Sequence, residues 1–189
     1  MTAQAELPIV GGMPIPFAIP ECRIDTVIEQ RSNHLTIEVL SDAEVSRCPA
    51  CGQASRSLHS RYNRYPADLP ISTSQTTLSI EVRRFYCSNP CCSRRTFAEP
   101  MSDLLGSRAR RTRRLAETQG RVGIVCGGAG GARLLKHLRM PASRATVLRL
   151  VRAMPMPDEP TPVHVGVDDW AMRKGCSYGT IVVDLDRSR

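Results

Sequence analysis

The first half of the chain alternates between apolar and polar residues, a pattern typical of β-strands. Leu35, Ile37 and Val39 share one face of a predicted strand, and residues 22–28 form another. The two strands are expected to pair as a hairpin. Residues 1–21 carry several prolines and glycines without periodicity, which predicts a loop or a loosely attached arm.

Two more strands are predicted downstream. A short one follows Cys51, and the sequence PADLP at residues 66–70 is expected to break it. The stronger strand covers residues 76–86, where alternate positions are apolar.

The spacing then becomes helical. A narrow apolar stripe runs through residues 115–126, and leucines continue over residues 129–138. After an interruption at residues 139–141, Ser143 is predicted to be the N-cap of a helix over residues 145–152. A helix boundary and close-packing site are expected at four glycines: Gly127, Gly128, Gly130 and Gly131.

A helix, a short turn and a capped helix form the helix-turn-helix arrangement, in which the second helix lies in the major groove of DNA. The exposed candidates for DNA contact on that helix are Arg144, Thr146 and Arg149. A plain helical hairpin that packs on its neighbours gives the same pattern and is the alternative.

A proline-rich linker is predicted at residues 154–162, and the two strands after it resemble a hairpin that opens an α/β domain. The first strand ends at Asp168. A carboxylate in that position suits metal binding, and the alternative is an Asp that caps a turn. Asp184, on the second strand, is expected to be structural.

Composition favours several small modules over one large core. The 189 residues include 14 prolines and only 4% aromatic residues, so one module is expected to be held by a metal rather than by apolar burial. The N-terminus has neither a basic segment nor a long apolar run, which predicts no signal peptide, no membrane span and a cytoplasmic location.

Two cysteine pairs form the most specific pattern in the chain. The first pair has the C-x2-C spacing of a metal-binding turn, and the second can complete a tetrahedral Zn²⁺ site. The expected ligands are Cys48, Cys51, Cys87 and Cys92. Cys91 is an alternative to Cys92, His59 is a possible substitute ligand, and buried or disulfide-bonded thiols are the competing interpretation. The isolated thiols are expected to be structural: Cys22, Cys126 and Cys176.

The formal net charge of +8 points to a polyanionic partner. Residues 108–152 hold 12 Arg or Lys against one acid, Glu117. Four more arginines crowd the second cysteine pair: Arg83, Arg84, Arg94 and Arg95. They are candidates for phosphate contacts, with a solvated basic rim as the alternative.

Taken together, six segments resemble the ISL-three family of bacterial insertion-sequence transposases. They are CPACG at Cys48, HSRYNRYPADLP at His59, RRFYCSNPCCSRRTFAEP at Arg83, ARRTRRL at Ala109, GGARLLKHLRMPAS at Gly130 and GVDDWAMRKGCSYGTIVVDL at Gly166. The resemblance implies a zinc ribbon, a helix-turn-helix and a ribonuclease-H-like domain. We therefore predict an α+β, multi-module chain. Its expected divisions are an N-terminal arm and hairpin (1–47), the zinc ribbon (48–100), the helix-turn-helix segment (101–153), the linker (154–162) and the start of the ribonuclease-H-like domain (163–189).

The resemblance also implies a D, D, E set of acids that binds two Mg²⁺ or Mn²⁺ ions in the intact enzyme and cuts and joins DNA strands. Asp168 matches the first acid, and Asp169 matches its variable neighbour. The chain ends at Arg189 before the other two acids, so we expect an N-terminal transposase portion that is catalytically incomplete alone, from a truncated or disrupted element.

The expected partner is double-stranded DNA at the ends of the element, in the bacterial nucleoid, with homo-oligomerisation left open. A non-catalytic DNA-binding regulator of transposition is the alternative function. A zinc-ribbon module for protein–protein contact, with no role in DNA binding, is the third.

Overall fold

The computed structural model describes residues 9–10, 13–14, 19–31, 33–41, 43–155, 161–173 and 175–187. The chain divides into two compact units, residues 1–154 and residues 155–189. The described strands are β1 (Ile9–Val10), β2 (Met13–Pro14), β3 (Cys22–Arg31), β4 (His34–Ser41), β5 (Ser46–Arg47), β6 (Ala54–Ser55), β7 (Leu58–Arg64), β8 (Ala67–Ile71), β9 (Ser74–Tyr86), β10 (Thr96–Ala98), β11 (Val165–Arg173) and β12 (Ser177–Asp184). The described helices are α1 (Arg113–His137) and α2 (Arg144–Ala153). The predicted mixture of helices and strands is confirmed.

The long strand β9 is the centre of the main sheet in the first unit. Along one edge, β9 pairs first with β4, in parallel, and then with β10, which is antiparallel. Along its other edge, β9 pairs with β8 and then with β7, both antiparallel. β3 forms the predicted antiparallel hairpin with β4. The core on one side of the sheet is almost fully buried and includes Ile37, Val39, Leu78, Ile80 and Val82.

One prediction about the strands is confirmed and one is wrong. The short strand β7 ends at Arg64, just before PADLP, as predicted. The chain then rejoins the sheet as β8, where Ala67 and Asp68 lie opposite Thr77 and Thr76 in an antiparallel ladder. Pro70 is tolerated in β8 since it falls in the irregular register between Asp68 and Ile71. The prediction that the N-terminal arm is a loop is wrong, because β1 and β2 pair within it.

Helix α1 is broken at Gly127, whose φ of 67° and ψ of 177° are not helical. This break falls in the glycine run that predicted a helix boundary. Leu115 and Gln119 are buried as the apolar stripe predicted, whereas Cys126 is exposed. The stripe therefore ends before the break.

Helices α1 and α2 approach closely at Gly123. A Cβ atom on Gly123 would lie 2.5 Å from Val147 Cγ1 and 2.7 Å from Val151 Cγ2, so only hydrogen fits there. Ser143 is the N-cap of α2, as predicted, and its hydroxyl oxygen accepts a hydrogen bond from the Thr146 N–H.

The turn between the helices is a Schellman motif. The Arg139 N–H donates to the Lys136 carbonyl at 3.3 Å, and the Met140 N–H donates to the Leu135 carbonyl at 2.9 Å. Met140 and Leu135 also pack in the same buried cluster. Arg139 has a φ of 59°, in the left-handed region where glycine is usual.

The second unit is the antiparallel hairpin of β11 and β12. Gly175, in its turn, has a φ of 76°. The hairpin exposes the apolar residues Val165, Val167, Trp170, Ile181 and Val182, as expected for an isolated pair of strands. Of the predicted linker, residues 156–160 lie outside the described residues. Neither described helix combines the length and apolar content needed to cross a bilayer.

Candidate metal centre

Four cysteine sulfurs converge at one end of the main sheet. The Sγ atoms of Cys48, Cys51, Cys87 and Cys92 all lie within 4.8 Å of one another. The Cys51–Cys87 distance is 3.6 Å and the Cys48–Cys92 distance is 3.9 Å. Four Zn–S bonds of about 2.3 Å in a tetrahedron place the sulfurs about 3.8 Å apart, so this donor set fits Zn²⁺. Both distances are too long for a disulfide bond of about 2.05 Å.

The first pair of thiols lies in a tight turn between β5 and β6. The Gly52 N–H donates to the Cys48 carbonyl at 2.8 Å, and the Cys48 N–H donates to the Gln53 carbonyl at 2.9 Å. Gly52 has the predicted left-handed conformation, with a φ of 75°. The turn thereby directs both of its thiols toward the second pair.

The second pair lies in the connection from β9 to β10. The Cys92 N–H donates to the Asn89 carbonyl at 3.1 Å, which turns the chain so that the Cys92 sulfur meets the others. Cys91 is exposed and does not belong to the four-sulfur group. Its N–H donates to Asn89 Oδ1 at 2.9 Å. The geometry therefore favours Cys92 over Cys91 as the fourth ligand.

The thiols differ in acidity because they interact with one another. Burial raises the pKa of Cys48, but backbone hydrogen bonds from Ala50 and Cys51 outweigh this effect and lower the pKa to about 7. The backbone of Asn89 lowers the pKa of Cys87, whereas burial and the neighbouring thiols raise it overall to about 12. The negative charge of one thiolate thus disfavours the ionisation of the neighbouring thiols. A bound dication would relieve that repulsion.

A small apolar cluster supports the sulfurs. Phe85 and Phe97 lie opposite each other on β9 and β10, and their ring centroids are 6.0 Å apart. Both are 2% exposed, and both pack with the buried Cys48. Two aromatic rings give this module little apolar burial of its own, which is why a metal would contribute much of its stability.

The remaining cysteines and His59 lie apart from the four-sulfur group. His59 is exposed, its Nδ1 is 2.8 Å from Ser60 Oγ, and its ring meets Tyr86 edge to face. Cys22 is buried in the sheet core, as expected of a structural thiol. Cys126 and Cys176 are exposed and lie outside the four-sulfur group, and their structural role stays a prediction.

Of the four arginines near the second pair, Arg83 has a structural role. Its backbone N–H and its Nε donate to the Glu99 carboxylate at 2.8 and 3.1 Å. Its guanidinium also reaches Ser41 Oγ and the Ala43 carbonyl, and it lies 5.5 Å from the Phe85 ring centroid. The other three arginines are exposed: Arg84, Arg94 and Arg95. Glu99 was missed by sequence reasoning because no local pattern marks an acid that pairs 16 residues away.

The three candidates on α2 occupy different environments. Arg144 and Arg149 are exposed, whereas Val147 of the same helix is buried. Thr146 is half-buried, and its hydroxyl lies 3.0 Å from Ser143 Oγ. The helix therefore presents arginines, rather than Thr146, to an incoming partner.

The candidate acids lie on the second unit. The prediction that the first strand ends at Asp168 is wrong, because β11 continues in its ladder with β12 as far as Arg173. Asp168 is exposed, and its Oδ1 accepts the Asp169 N–H at 2.9 Å. Asp169 Oδ1 accepts a hydrogen bond from the Thr180 hydroxyl at 2.7 Å. Asp184 accepts hydrogen bonds from Asp186 N–H and from Arg187, a structural role as predicted.

Two comparisons with known proteins found similarity. Residues 44–92 match the family described as the zinc-finger of transposase IS204/IS1001/IS1096/IS1165. Over 159 residues the chain is 27% identical to the transposase for insertion sequence element IS1001 of Bordetella parapertussis. The match covers 82% of this chain and 37% of that protein, so the chain spans little more than a third of the length of its relative. No solved structure gives a match. The resemblance noted in the sequence motifs is confirmed by both comparisons.

Proposed function

We propose that this chain, a relative of the ISL-three family transposases, is the DNA-binding portion of an insertion-sequence transposase and carries one structural Zn²⁺. The observation that carries the proposal is the four-sulfur group, because it occupies the segment that matches the transposase zinc finger. Cys48, Cys51, Cys87 and Cys92 would hold the ion and fix the two turns. The ion supplies structural cross-linking and takes no part in strand chemistry.

The helical segment would contact the duplex as a helix-turn-helix, with α2 as the recognition helix. Its buried face packs on α1 through Val147, while Arg144, Arg149 and Arg152 are exposed. No acid occurs in α2, so its exposed surface is cationic. The zinc-ribbon arginines Arg84, Arg94 and Arg95 would add phosphate contacts, whereas Arg83 is already held by Glu99.

Salt-dependent DNA binding tests this function. The chain, loaded with Zn²⁺, is titrated with duplex DNA that carries the ends of the element, at several salt concentrations. We expect affinity to fall steeply with salt, and each of Arg144→Gln and Arg149→Gln to reduce the log–log slope by about one if it removes a phosphate contact. Arg61→Gln is the control, because Arg61 is paired with Glu81 on the sheet. An affinity that is weak and independent of salt would contradict the proposal.

Asp168 is proposed as the first metal-binding acid of a ribonuclease-H-like domain that opens with β11 and β12. A D, D, E site needs two further carboxylates for Mg²⁺ or Mn²⁺, and we assign them to no residue of this polypeptide. We therefore expect the purified chain to bind end DNA without cutting it. Strand cleavage in the presence of Mg²⁺ would overturn this part of the proposal and leave the DNA-binding part intact.

A further inference from the structure

A small cavity lies where the main sheet meets the turn between α1 and α2. Its lining includes Thr76 and Thr77 of β9, Arg110 and Arg111 before α1, and Arg139 of the Schellman turn. Its volume is about 80 Å³. That is more than the share of one water, about 30 Å³, and far less than the 300 Å³ or more of a typical small-molecule pocket. Its size suits one small polyatomic ion.

The wall of the cavity contains a polar atom that lacks a partner. Thr76 is 3% exposed, and its Oγ1 is the buried side-chain oxygen or nitrogen that finds no hydrogen-bond partner among the described residues. A buried hydroxyl without a partner destabilises the fold, because it loses its hydrogen bonds to water and gains none in return. A ligand in the cavity that accepts a hydrogen bond from this hydroxyl would remove that penalty.

The cavity is strongly cationic. Three arginines line it, and its one acid, Asp68, is already held by Arg114 and by the hydroxyl of Thr112. Burial, and then the nearby charge of Arg149, lower the pKa of Arg111. A guanidinium that is partly desolvated and close to another cation favours an anion beside it.

The cavity is open to solvent on its arginine side. Arg110 and Arg139 are exposed, whereas Thr76 is buried behind them. Arg139 has a left-handed backbone, which is strained for a residue with a Cβ and is usual for glycine. Arg139 is both exposed and part of the cavity lining, so the chain keeps a guanidinium at a position that glycine would occupy with less strain.

We propose that this cavity binds a single phosphate group, with the Thr76 hydroxyl donating from its floor and Arg110, Arg111 and Arg139 donating from its walls. The source of this phosphate is a backbone phosphodiester of the bound DNA, an assignment that rests on the proposed function. Free phosphate has the same chemistry and is the other possible source. Binding there would fix the sheet, the start of α1 and the turn before α2 to the same point on the DNA backbone.

The first experiment uses inorganic phosphate as the probe. The Zn²⁺-loaded chain is titrated calorimetrically with phosphate at constant ionic strength, and Thr76→Val is compared with the wild type. Valine keeps the shape of threonine and removes only the unpaired hydroxyl, so folding is expected to be preserved. We expect a single saturable site that Thr76→Val weakens about tenfold, the loss of one hydrogen bond to a charged group. Equal phosphate affinity in the two proteins would overturn the proposal.

A second variant separates a binding role from a structural one. Arg139→Gly removes a guanidinium from the cavity and relieves the left-handed backbone, so it is expected to raise the melting temperature and lower phosphate affinity. If Arg139 is only structural, Arg139→Gly will leave the phosphate affinity unchanged. That result would overturn the proposed role of Arg139 in phosphate binding. Arg121→Gln is the matched control, because Arg121 is an exposed arginine of α1 that pairs with Glu117 and does not line the cavity.

DNA titrations with the same variants identify the source of the phosphate. If Thr76→Val and Arg139→Gly weaken both phosphate and DNA binding, the DNA backbone is the source. If they weaken phosphate binding alone, the site stands and its assignment to DNA is overturned. If wild-type chain shows no salt-dependent DNA binding, the proposed function fails, and the phosphate titration still decides whether the cavity is an anion site.

Discussion

The Asp68 carboxylate accepts a 2.6 Å hydrogen bond from the hydroxyl of Thr112, and Thr112 is the N-cap of α1. The same carboxylate accepts a 2.8 Å hydrogen bond from Arg114 Nε, in the first turn of that helix. Asp68 lies on β8, and its side chain is 1% exposed. A buried charge therefore fixes the start of the helical segment to the main sheet.

Replacing Asp68 by alanine is expected to destabilise the first unit by about 3 kcal/mol, because it removes the acceptor shared by Thr112 and Arg114 inside the protein. Chemical denaturation, followed by far-ultraviolet circular dichroism, measures the change. Glu117→Gln is the control, since its ion pair with Arg121 is exposed and is worth less than about 1 kcal/mol. Equal effects of the two substitutions would show that the buried pair does not join sheet and helix.

Two glycines of α1 offer a matched pair of alanine substitutions. A Cβ atom on Gly123 would lie 2.5 Å from Val147 Cγ1, whereas one on Gly130 would meet only Cys126 Cβ, at an ordinary 3.6 Å. Gly130→Ala is expected to stabilise the protein by up to about 1 kcal/mol through helix propensity. Gly123→Ala is expected to destabilise it by about 1–3 kcal/mol, because overpacking at the helix crossing outweighs that gain. Thermal unfolding of both variants checks the opposite signs.

Adjacent cysteines provide a test of the ligand set. Cys92→Ser removes a sulfur of the four-sulfur group, while Cys91→Ser removes an exposed thiol beside it. We expect Cys91→Ser to retain about one equivalent of Zn²⁺ and Cys92→Ser to lose affinity for it. Elemental analysis after dialysis against a weak chelator makes the measurement. Retention of the metal by Cys92→Ser and its loss from Cys91→Ser would reverse the assignment.

Removing the metal should loosen the zinc ribbon first. The Cys87 N–H donates to the Arg95 carbonyl at 2.9 Å, and the Phe85–Phe97 pair lies next to the sulfurs. With a chelator, we expect amide hydrogen exchange to accelerate at Cys87 and along β10, since little apolar area holds this end of the sheet. Amides of α2 are expected to change less, because Val147 packs in a separate cluster. Unchanged exchange at Cys87 would contradict a metal-dependent module.

Features set by neighbouring residues could be predicted from the sequence. The β3–β4 hairpin, the Ser143 cap and the left-handed Gly52 each follow from a few adjacent side chains. The candidate zinc ligands could be inferred too, since C-x2-C spacing restricts what two thiols in one turn can do.

Features that depend on distant residues could not be predicted. Arg83 was a candidate for DNA contact on charge alone, and only the fold brings Glu99 beside it. PADLP carries turn residues, yet its pairing with β9 includes it in the sheet. The cationic cavity depends on Thr76 and Arg139, which are 63 positions apart in the sequence.

A single strand leads from Thr76, in the wall of the cavity, to Cys87, in the four-sulfur group. Eleven residue steps of about 3.3 Å set their separation at no more than about 36 Å. Because successive residues of a strand face opposite sides of the sheet, inserting one residue between them would turn one of the two side chains to the other face as well as changing their distance.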